Sequence, residues 1–440
     1  MIKRFIRRVL GLSANHMERV PRQRHGLSRD ALSPAAAKVC AVLREGGFAG
    51  YVVGGAVRDL LLGIVPKDFD IATDARPEQV KPLFRRALII GRRFRLVHVV
   101  MGAETVEVST FRAADPDTAE KDEHGRVLRD NVFGTQAEDA RRRDFTVNAL
   151  YFDPATEEVI DFHGGLADLK KRVLRVIGDP ATRYREDPIR MLRGVRLAAK
   201  LGLTLDPATR APIRSLGPLM ERVPPARLFD EMLKLLLSGH ASACLRQLRE
   251  VGLHKGLLPL LDVILEQPLG ERFVTLALAQ TDERVLGERP VSPAFLFAAL
   301  LWHEVLAAWK ARETRGERSI PALENAMDEV LDTQCAKLAI TRKLTATMRE
   351  VWGMQPRFEM RSGQRPYRLL ESPRFRMAYD FLALRAASGE VAAELEAWWR
   401  AFHSADAETR KAMLLPETGT HKRRRRRRKK RPGAPTPAPA

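Results

Sequence analysis

Residues 50–74, GYVVGGAVRDLLLGIVPKDFDIATD, constrain the fold more than any other stretch, because they join a phosphate-sized turn to two carboxylates at alternate positions. Residues 51–53 are strand-prone and stop at Gly54 and Gly55, and an amphipathic run over 56–62 follows at once. A strand, turn and helix of this kind lets glycine backbone approach an anion and aims helix N-terminal N–H groups at it. Gly63 and Pro66 then break the helix. In Asp68-Phe69-Asp70-Ile71 the two aspartates share one face of a strand, and Phe69 and Ile71 share the other. Adjacent carboxylates repel unless a cation lies between them, and Mg²⁺ prefers such oxygen ligands while keeping places for water and phosphate. Asp-x-Asp alone is common on exposed strands and turns; the Gly-Gly turn and Arg58 just upstream favour the metal reading.

GGAVRDLLLG followed by PKDFDIATD resembles the signature of class II nucleotidyltransferases, which include tRNA CCA-adding enzymes and bacterial poly(A) polymerases. The resemblance implies that Asp68 and Asp70 are catalytic ligands of Mg²⁺, with Mn²⁺ as a substitute, and that Gly54, Gly55 and Arg58 hold the triphosphate of ATP. A metal held this way neutralises the triphosphate and activates an incoming hydroxyl.

Composition narrows the partners. The 440-residue chain carries a formal charge of +20, of which the ten consecutive cations at 422–431 supply half. The rest of the chain still carries +10, which points to a polyanion, with nucleic acid ahead of a membrane surface. Cys40, Cys244 and Cys335 are far apart without CxxC spacing, which argues for a reducing, cytoplasmic compartment and against a disulfide frame or zinc site. No apolar run approaches membrane-spanning length, since the longest, 294–302, meets His303 and Glu304. The basic N-terminus does not read as a secretory signal, and a peripheral membrane contact stays open.

In chain order, residues 1–33 read as a basic leader. Ser33-Pro34 opens an amphipathic helix that ends near Gly46-Gly47. Three strand-like runs, 87–91, 94–101 and 105–112, are close enough in sequence to pair antiparallel. Glu107 in the third run either completes a carboxylate triad with Asp68 and Asp70 or is a solvated strand residue. The run LIIGRRFRLVHV at 88–99 is similar to a stretch that separates bacterial poly(A) polymerases from CCA-adding enzymes. Residues 113–131 are polar and breaker-rich, as expected of a long loop over the site.

The stretch RRDFTVNAL matches the family's second motif, which implies that Arg143 contacts phosphate and that Asp144 is a further catalytic carboxylate, or else orients Arg143. His163 before Gly164-Gly165 reads as a turn residue. In TRYREDPIRMLRGVRLAAKLG, Ile189, Leu192, Val195 and Ala199 form a buried stripe, with Glu186, Arg190 and Arg193 near another face. The ordinary account is a helix laced with ion pairs. By the resemblance, Asp187 accepts from the amino group of the base and Arg190 donates to its ring nitrogen, with Glu186 in support and Arg193 among the nucleotide-binding residues. Cytosine offers a similar edge, so the motif does not separate ATP from CTP.

Residues 206–415 show helical periodicity almost throughout, and 416–440 read as a disordered cationic tail suited to tethering RNA. The expectation is an α+β nucleotidyltransferase head with a mixed or antiparallel sheet and flanking helices, followed by an all-α neck, body and tail. Its boundaries are leader 1–33, head 34–164, neck 165–230, body and tail 231–415, and disordered tail 416–440. The expected reaction is template-independent polyadenylation of RNA 3′ ends, serving RNA turnover and its decay machinery. CCA addition is the alternative within the family, and a non-catalytic basic RNA-binding protein the alternative outside it.

Overall fold

A computed structural model of the chain describes residues 17–91, 95–113, 120–121, 127–129, 132–253 and 268–416. Residues 1–16 of the expected leader, 92–94 within the 88–99 run, most of the 113–131 loop, and the tail from 417 onward lie outside the described residues.

The head is built on an eight-stranded sheet. Strands β1 (Glu18–Val20), β2 (Tyr51–Val53), β3 (Asp70–Thr73), β4 (Ala87–Ile90), β5 (Leu96–Met101), β6 (Glu104–Thr110), β7 (Leu150–Asp153) and β8 (Glu158–Asp161) lie in the order β1-β8-β7-β2-β3-β6-β5-β4. Short connections make β4, β5 and β6 antiparallel neighbours, as their spacing predicts. The β4–β5 excursion brings β6 back beside β3 in the parallel sense, which makes the sheet mixed. Val52, Val53, Ile71, Ala72, Val106 and Val108 are each at most 1 % exposed, so the central strands are covered on both faces. Helix α1 (Pro34–Glu45) supplies one cover, with Ser33 accepting the Ala36 N–H at 3.1 Å and Val39, Cys40 and Leu43 buried. Within the expected long loop, Glu120–Lys121 pairs antiparallel with Val127–Arg129.

Residues 17–33 correct the leader expectation. Strand β1 pairs with β8, the Arg19–Glu158 and Arg22–Glu157 ion pairs (3.1 and 2.8 Å) hold it, and Leu27 and Leu32 enter the core. A three-residue strand is too short to display a period, so its basic flanks dominate the pattern. The His163 expectation agrees with the structure. The Asp161 carboxylate accepts the backbone N–H groups of His163, Gly164, Gly165 and Leu166 at 2.9–3.1 Å, fixing the turn out of the sheet.

A helix opening at Asp187-Pro188 follows from the tolerance of proline in a first turn, and α5 (Ile189–Leu201) begins there, preceded by a separate short helix, α4 (Pro180–Glu186). Pro188 forces Asp187 into extended backbone (φ −147°, ψ 95°), so helical geometry cannot run through it. Ile189, Met191, Leu192, Val195, Leu197 and Ala198 bury the inner face of α5, while Ala199 is only partly buried. The remainder is helical as expected, with α6 (Pro225–Leu236), α7 (Ala241–Val251), α8 (Pro268–Leu286), α9 (Pro293–Thr314), α10 (Ser319–Lys337), α11 (Arg342–Met354), α12 (Phe375–Ser388) and α13 (Ala393–Ser404).

One hydrophobic core continues from the sheet through α5 into α11, and a second gathers Phe358, Phe375, Trp399 and Phe402. Among the described residues, α9 alone is long and apolar enough by composition to cross a membrane. Its Ala298, Leu300, Leu301, Trp302 and Val305 are at most 1 % exposed and pack inside the body. Trp302 and Trp399 are fully buried, which agrees with packing rather than base-stacking roles.

Candidate active site

The turn between β2 and α2 (Gly55–Leu61) depends on Gly54. Its φ of 76° lies in the left-handed region, and a Cβ there would sit 3.2 Å from Arg143 Nη1. The Gly54 N–H donates to the Leu150 carbonyl at 3.1 Å, so this amide serves the sheet rather than an incoming anion. Gly54 therefore makes room for Arg143. Arg58, 6 % exposed, is fixed from two sides: Nε donates to Asp59 Oδ1 at 2.7 Å and Nη1 to Asn148 Oδ1 at 2.6 Å.

The carboxylates meet where β3 begins. In the sheet register Val53 faces Asp70 and Asp70 faces Glu107, so the possible triad member and the second aspartate are direct cross-strand neighbours. Glu107 is in turn opposite His98, whose Nε2 is 3.8 Å from its Oε2. Partial withdrawal from water pushes the Asp70 carboxyl up to about 6, and the charges of Glu107 and Asp68 add to the effect while Arg143 opposes it. A cation would relieve this repulsion, so the donor set fits a divalent metal. Among the described residues no three His, Cys, Asp or Glu side chains are grouped closely enough to hold a metal ion by themselves. An open carboxylate site of this kind suits Mg²⁺, whose remaining positions go to water and phosphate.

Opposite Asp70 stand the arginines. Helix α3 (Gln136–Arg142) ends at Arg143, whose guanidinium contacts Asp139 Oδ2 at 3.1–3.2 Å and the Tyr151 hydroxyl at 3.2 Å and lies over the Tyr151 ring. Asp139 and Tyr151 outweigh burial and raise the Arg143 pKa, so this residue stays a fixed cation. Asp144 does not orient Arg143. Its Oδ2 pairs with Arg193 at 2.8 Å, and its Oδ1 accepts the Phe145 N–H at 2.8 Å and the Asn148 amide at 3.0 Å. Burial works to raise the Asp144 carboxyl, but Arg193, Asn148 and the Phe145 N–H outweigh it and hold it below the usual range. Asn148 thus bridges Arg58 to Asp144.

The neck closes the site. Asp187 pairs with Arg227 at 2.9 Å, and Arg190 donates to the Arg183 carbonyl at 2.8 Å and to Glu186 at 3.2 Å. The resulting cavity, about 430 Å³, is lined by Asp70, Arg143, Arg190 and Arg193 with Gly54 and Arg58 at its base, and Asp144, Asn148 and Asp187 also reach it. Six arginines against three aspartates give its wall an excess of positive charge. Asp68 and Glu107 are not among the residues that line it. Clefts of about 660 and 910 Å³ in the helical body contain none of these groups.

The motifs did not single out the residues that hold this wall together: Asp139 and Tyr151 on Arg143, Asn148 between Arg58 and Asp144, Arg183 on Arg190, and Arg227 on Asp187. Asn148 and Arg183 lie inside the two motifs and were accessible there. Arg227 meets Asp187 only through the fold.

The chain matches the family described as Poly A polymerase head domain over residues 50–175, that described as Probable RNA and SrmB- binding site of polymerase A over 202–265, and that described as Polymerase A arginine-rich C-terminus over 315–432. It is 44% identical over 411 residues to Poly(A) polymerase I of Salmonella typhi, covering 91% of this chain and 88% of that protein. The same identity holds over 407 residues to Poly(A) polymerase I of Haemophilus influenzae, covering 90% and 89%. A CCA-adding enzyme of Streptococcus pneumoniae is 42% identical over 196 residues, covering 44% of this chain and 48% of that protein. Among solved structures, the Bacillus stearothermophilus CCA-adding enzyme in complex with CTP is 26% identical with a TM-score of 0.57, covering 84% of this chain and 81% of that one.

Proposed function

The chain belongs to the poly(A) polymerase family, and we propose that it transfers AMP from ATP to RNA 3′-hydroxyls without a template, releasing pyrophosphate. The observation that carries this reading is the cavity itself, whose wall brings Asp70 together with six arginines, Arg190 among them, and with Asp187. Asp68 and Asp70, with Glu107 beside them, would hold Mg²⁺, which when bound neutralises the triphosphate and lowers the pKa of the attacking hydroxyl. Arg58, Arg143 and Arg193 supply fixed positive charge for the triphosphate, already oriented before it arrives. Asp187 accepts from adenine N6 and Arg190 donates to N1. The 3′-hydroxyl oxygen loses its proton to solvent and bonds to the α-phosphorus as the bond to the bridging oxygen of the β-phosphate breaks, and pyrophosphate carries the electron pair away. Asp144 is a positioning residue in this scheme, since its carboxylate is occupied by Arg193, Asn148 and Phe145. The head would comprise 34–164 with residues 17–33 added to its sheet, followed by the neck (165–230) and the body and tail (231–415). The helical regions and the 422–431 run would grip RNA in the cytoplasm, delivering tailed RNA to decay machinery.

CCA addition is the second reading, favoured by the CCA-adding relative that matches 44% of this chain. A tRNA lacking its CCA end, supplied with all four nucleotides, separates the two: A-only extension supports polyadenylation, and C-C-A followed by arrest refutes it. A non-catalytic RNA-binding role conflicts with the intact carboxylates and paired arginines.

Two further outcomes are expected. Arg190→Ala should damage discrimination between ATP and the other nucleotides more than it weakens triphosphate binding, measured as kcat/KM for each nucleotide. A uniform loss for all four would reassign Arg190 to phosphate. The second concerns pH. The Asp70 carboxylate must be ionised to hold a cation, so at low Mg²⁺ activity should fall as pH drops through about 6. Proton and metal compete for the same oxygens, so raising Mg²⁺ should move this limb to lower pH. A limb that stays in place across a hundredfold Mg²⁺ range would detach the titration from the metal site.

A further inference from the structure

We propose that Arg183 is the positioning residue that couples reading of the base to the grip on the triphosphate; the inference rests on the site reading above. Arg183 lies in α4, its side chain 15 % exposed, and it touches both halves of the site through different atoms. Its Nη2 donates to the carbonyls of Arg142 and Arg143 at 2.8 Å each, at the C-terminal end of α3, where carbonyls lack helical partners and a cation is favoured. The backbone position from which Arg143 projects towards the triphosphate is therefore set by the Arg183 fork. Its Nη1 pairs with Glu186 Oε2 at 2.7 Å. That same oxygen takes Arg190 Nη1 at 3.2 Å, and Arg190 Nη1 also donates to the Arg183 carbonyl at 2.8 Å. Arg183, Glu186 and Arg190 form a closed loop, with the base reader at one end and the peptide bearing the triphosphate clamp at the other.

The loop has a direct mechanical consequence. A base that engages Arg190 redistributes the donors sharing Glu186, and Arg183 carries that change to the Arg142 and Arg143 carbonyls. A base that does not engage Arg190 leaves the clamp in its resting position. Recognition then appears in turnover as well as in binding, since only the fitting base aligns the triphosphate. The linkage is reciprocal in binding, so triphosphate seated on Arg143 also favours the base-reading position of Arg190. Lysine cannot reproduce the planar fork that spans two carbonyls and a carboxylate.

The test is steady-state kcat and KM for ATP and for GTP on an unstructured RNA, in wild type, Arg183→Lys, Arg183→Met and Glu186→Gln. Losing the charge-assisted bonds of Arg183 should lower kcat/KM for ATP by roughly tenfold to a hundredfold, chiefly in kcat, with GTP changing by less than about threefold. The preference for ATP shrinks accordingly. Glu186→Gln leaves the carbonyl contacts in place and should produce the same compression more weakly, which keeps the test decisive if Arg183→Met does not fold. Equal losses for ATP and GTP, with the preference unchanged, would make Arg183 a scaffold residue and overturn the coupling alone. A wild-type enzyme without preference for ATP would overturn the base-reading assignment, and the coupling with it.

Discussion

Asp70→Asn is expected to abolish RNA extension while leaving RNA binding nearly intact. Asparagine keeps the size of the side chain and one acceptor oxygen but removes the charge that holds the cation. Metal stabilisation of a transferring phosphoryl group is worth several kcal/mol, so the rate should fall by at least about a thousandfold. The same change should act in the opposite direction on stability in metal-free buffer. The Asp70 carboxyl is pushed up to about 6 by desolvation and by Glu107, so above that pH the ionised group opposes folding and its removal relieves repulsion. Because Asp70 is exposed at the cavity wall, the gain is small, a slight rise in melting temperature at pH 8. Asp68→Asn should share the loss of activity. Near-normal rates in either variant at saturating Mg²⁺ would remove the metal assignment, and an activity loss accompanied by a large fall in melting temperature would indicate misfolding instead.

Asp144→Asn should damage ATP binding more than turnover. Asp144 is 7 % exposed and has committed its oxygens to Arg193, Asn148 and the Phe145 N–H. Neutralising it leaves Arg193 without its partner and loosens the Asn148 bridge that orients Arg58. Breaking a buried pair costs about 3–5 kcal/mol of stability, and the 40 % exposed Arg193 side chain discounts this to about 2 kcal/mol, so the variant should also melt at a lower temperature. The carboxyl is held below its usual range, so it stabilises the fold above ordinary carboxylate pKa values, and that contribution disappears as pH falls through the depressed value. The variant should therefore show a flatter acid limb in thermal unfolding than wild type. A loss confined to kcat, with KM for ATP unchanged, would return Asp144 to the reacting atoms.

The parts of this molecule with strong local signals were legible in the sequence. Alternation predicted the buried Phe69 and Ile71 on either side of the exposed Asp70, short connections predicted the β4–β6 meander, and Ser33-Pro34 marked the start of α1. What escaped depends on tertiary placement. Nothing local assigns Glu107 to Asp70 rather than to solvent; the parallel β3–β6 register does. The partner of Asp144 could not be read from RRDF, where Arg143 is adjacent, because Arg143 turns to Asp139 and Tyr151 and the carboxylate turns to Arg193, 49 positions on. The helix start at Asp187-Pro188 was readable from proline's tolerance in a first turn, and α5 begins just after it. Strand β1 carries no pattern at all and is fixed by its ladder to β8.

The most direct measurement is extension of an unstructured RNA with ATP, CTP, GTP and UTP supplied one at a time, read as product length. Long tracts of A from ATP, with little incorporation from the other three, are the result predicted by the Asp187 and Arg190 pair reading adenine beside an arginine-lined triphosphate cavity. Incorporation of CMP that halts after a few additions would contradict it.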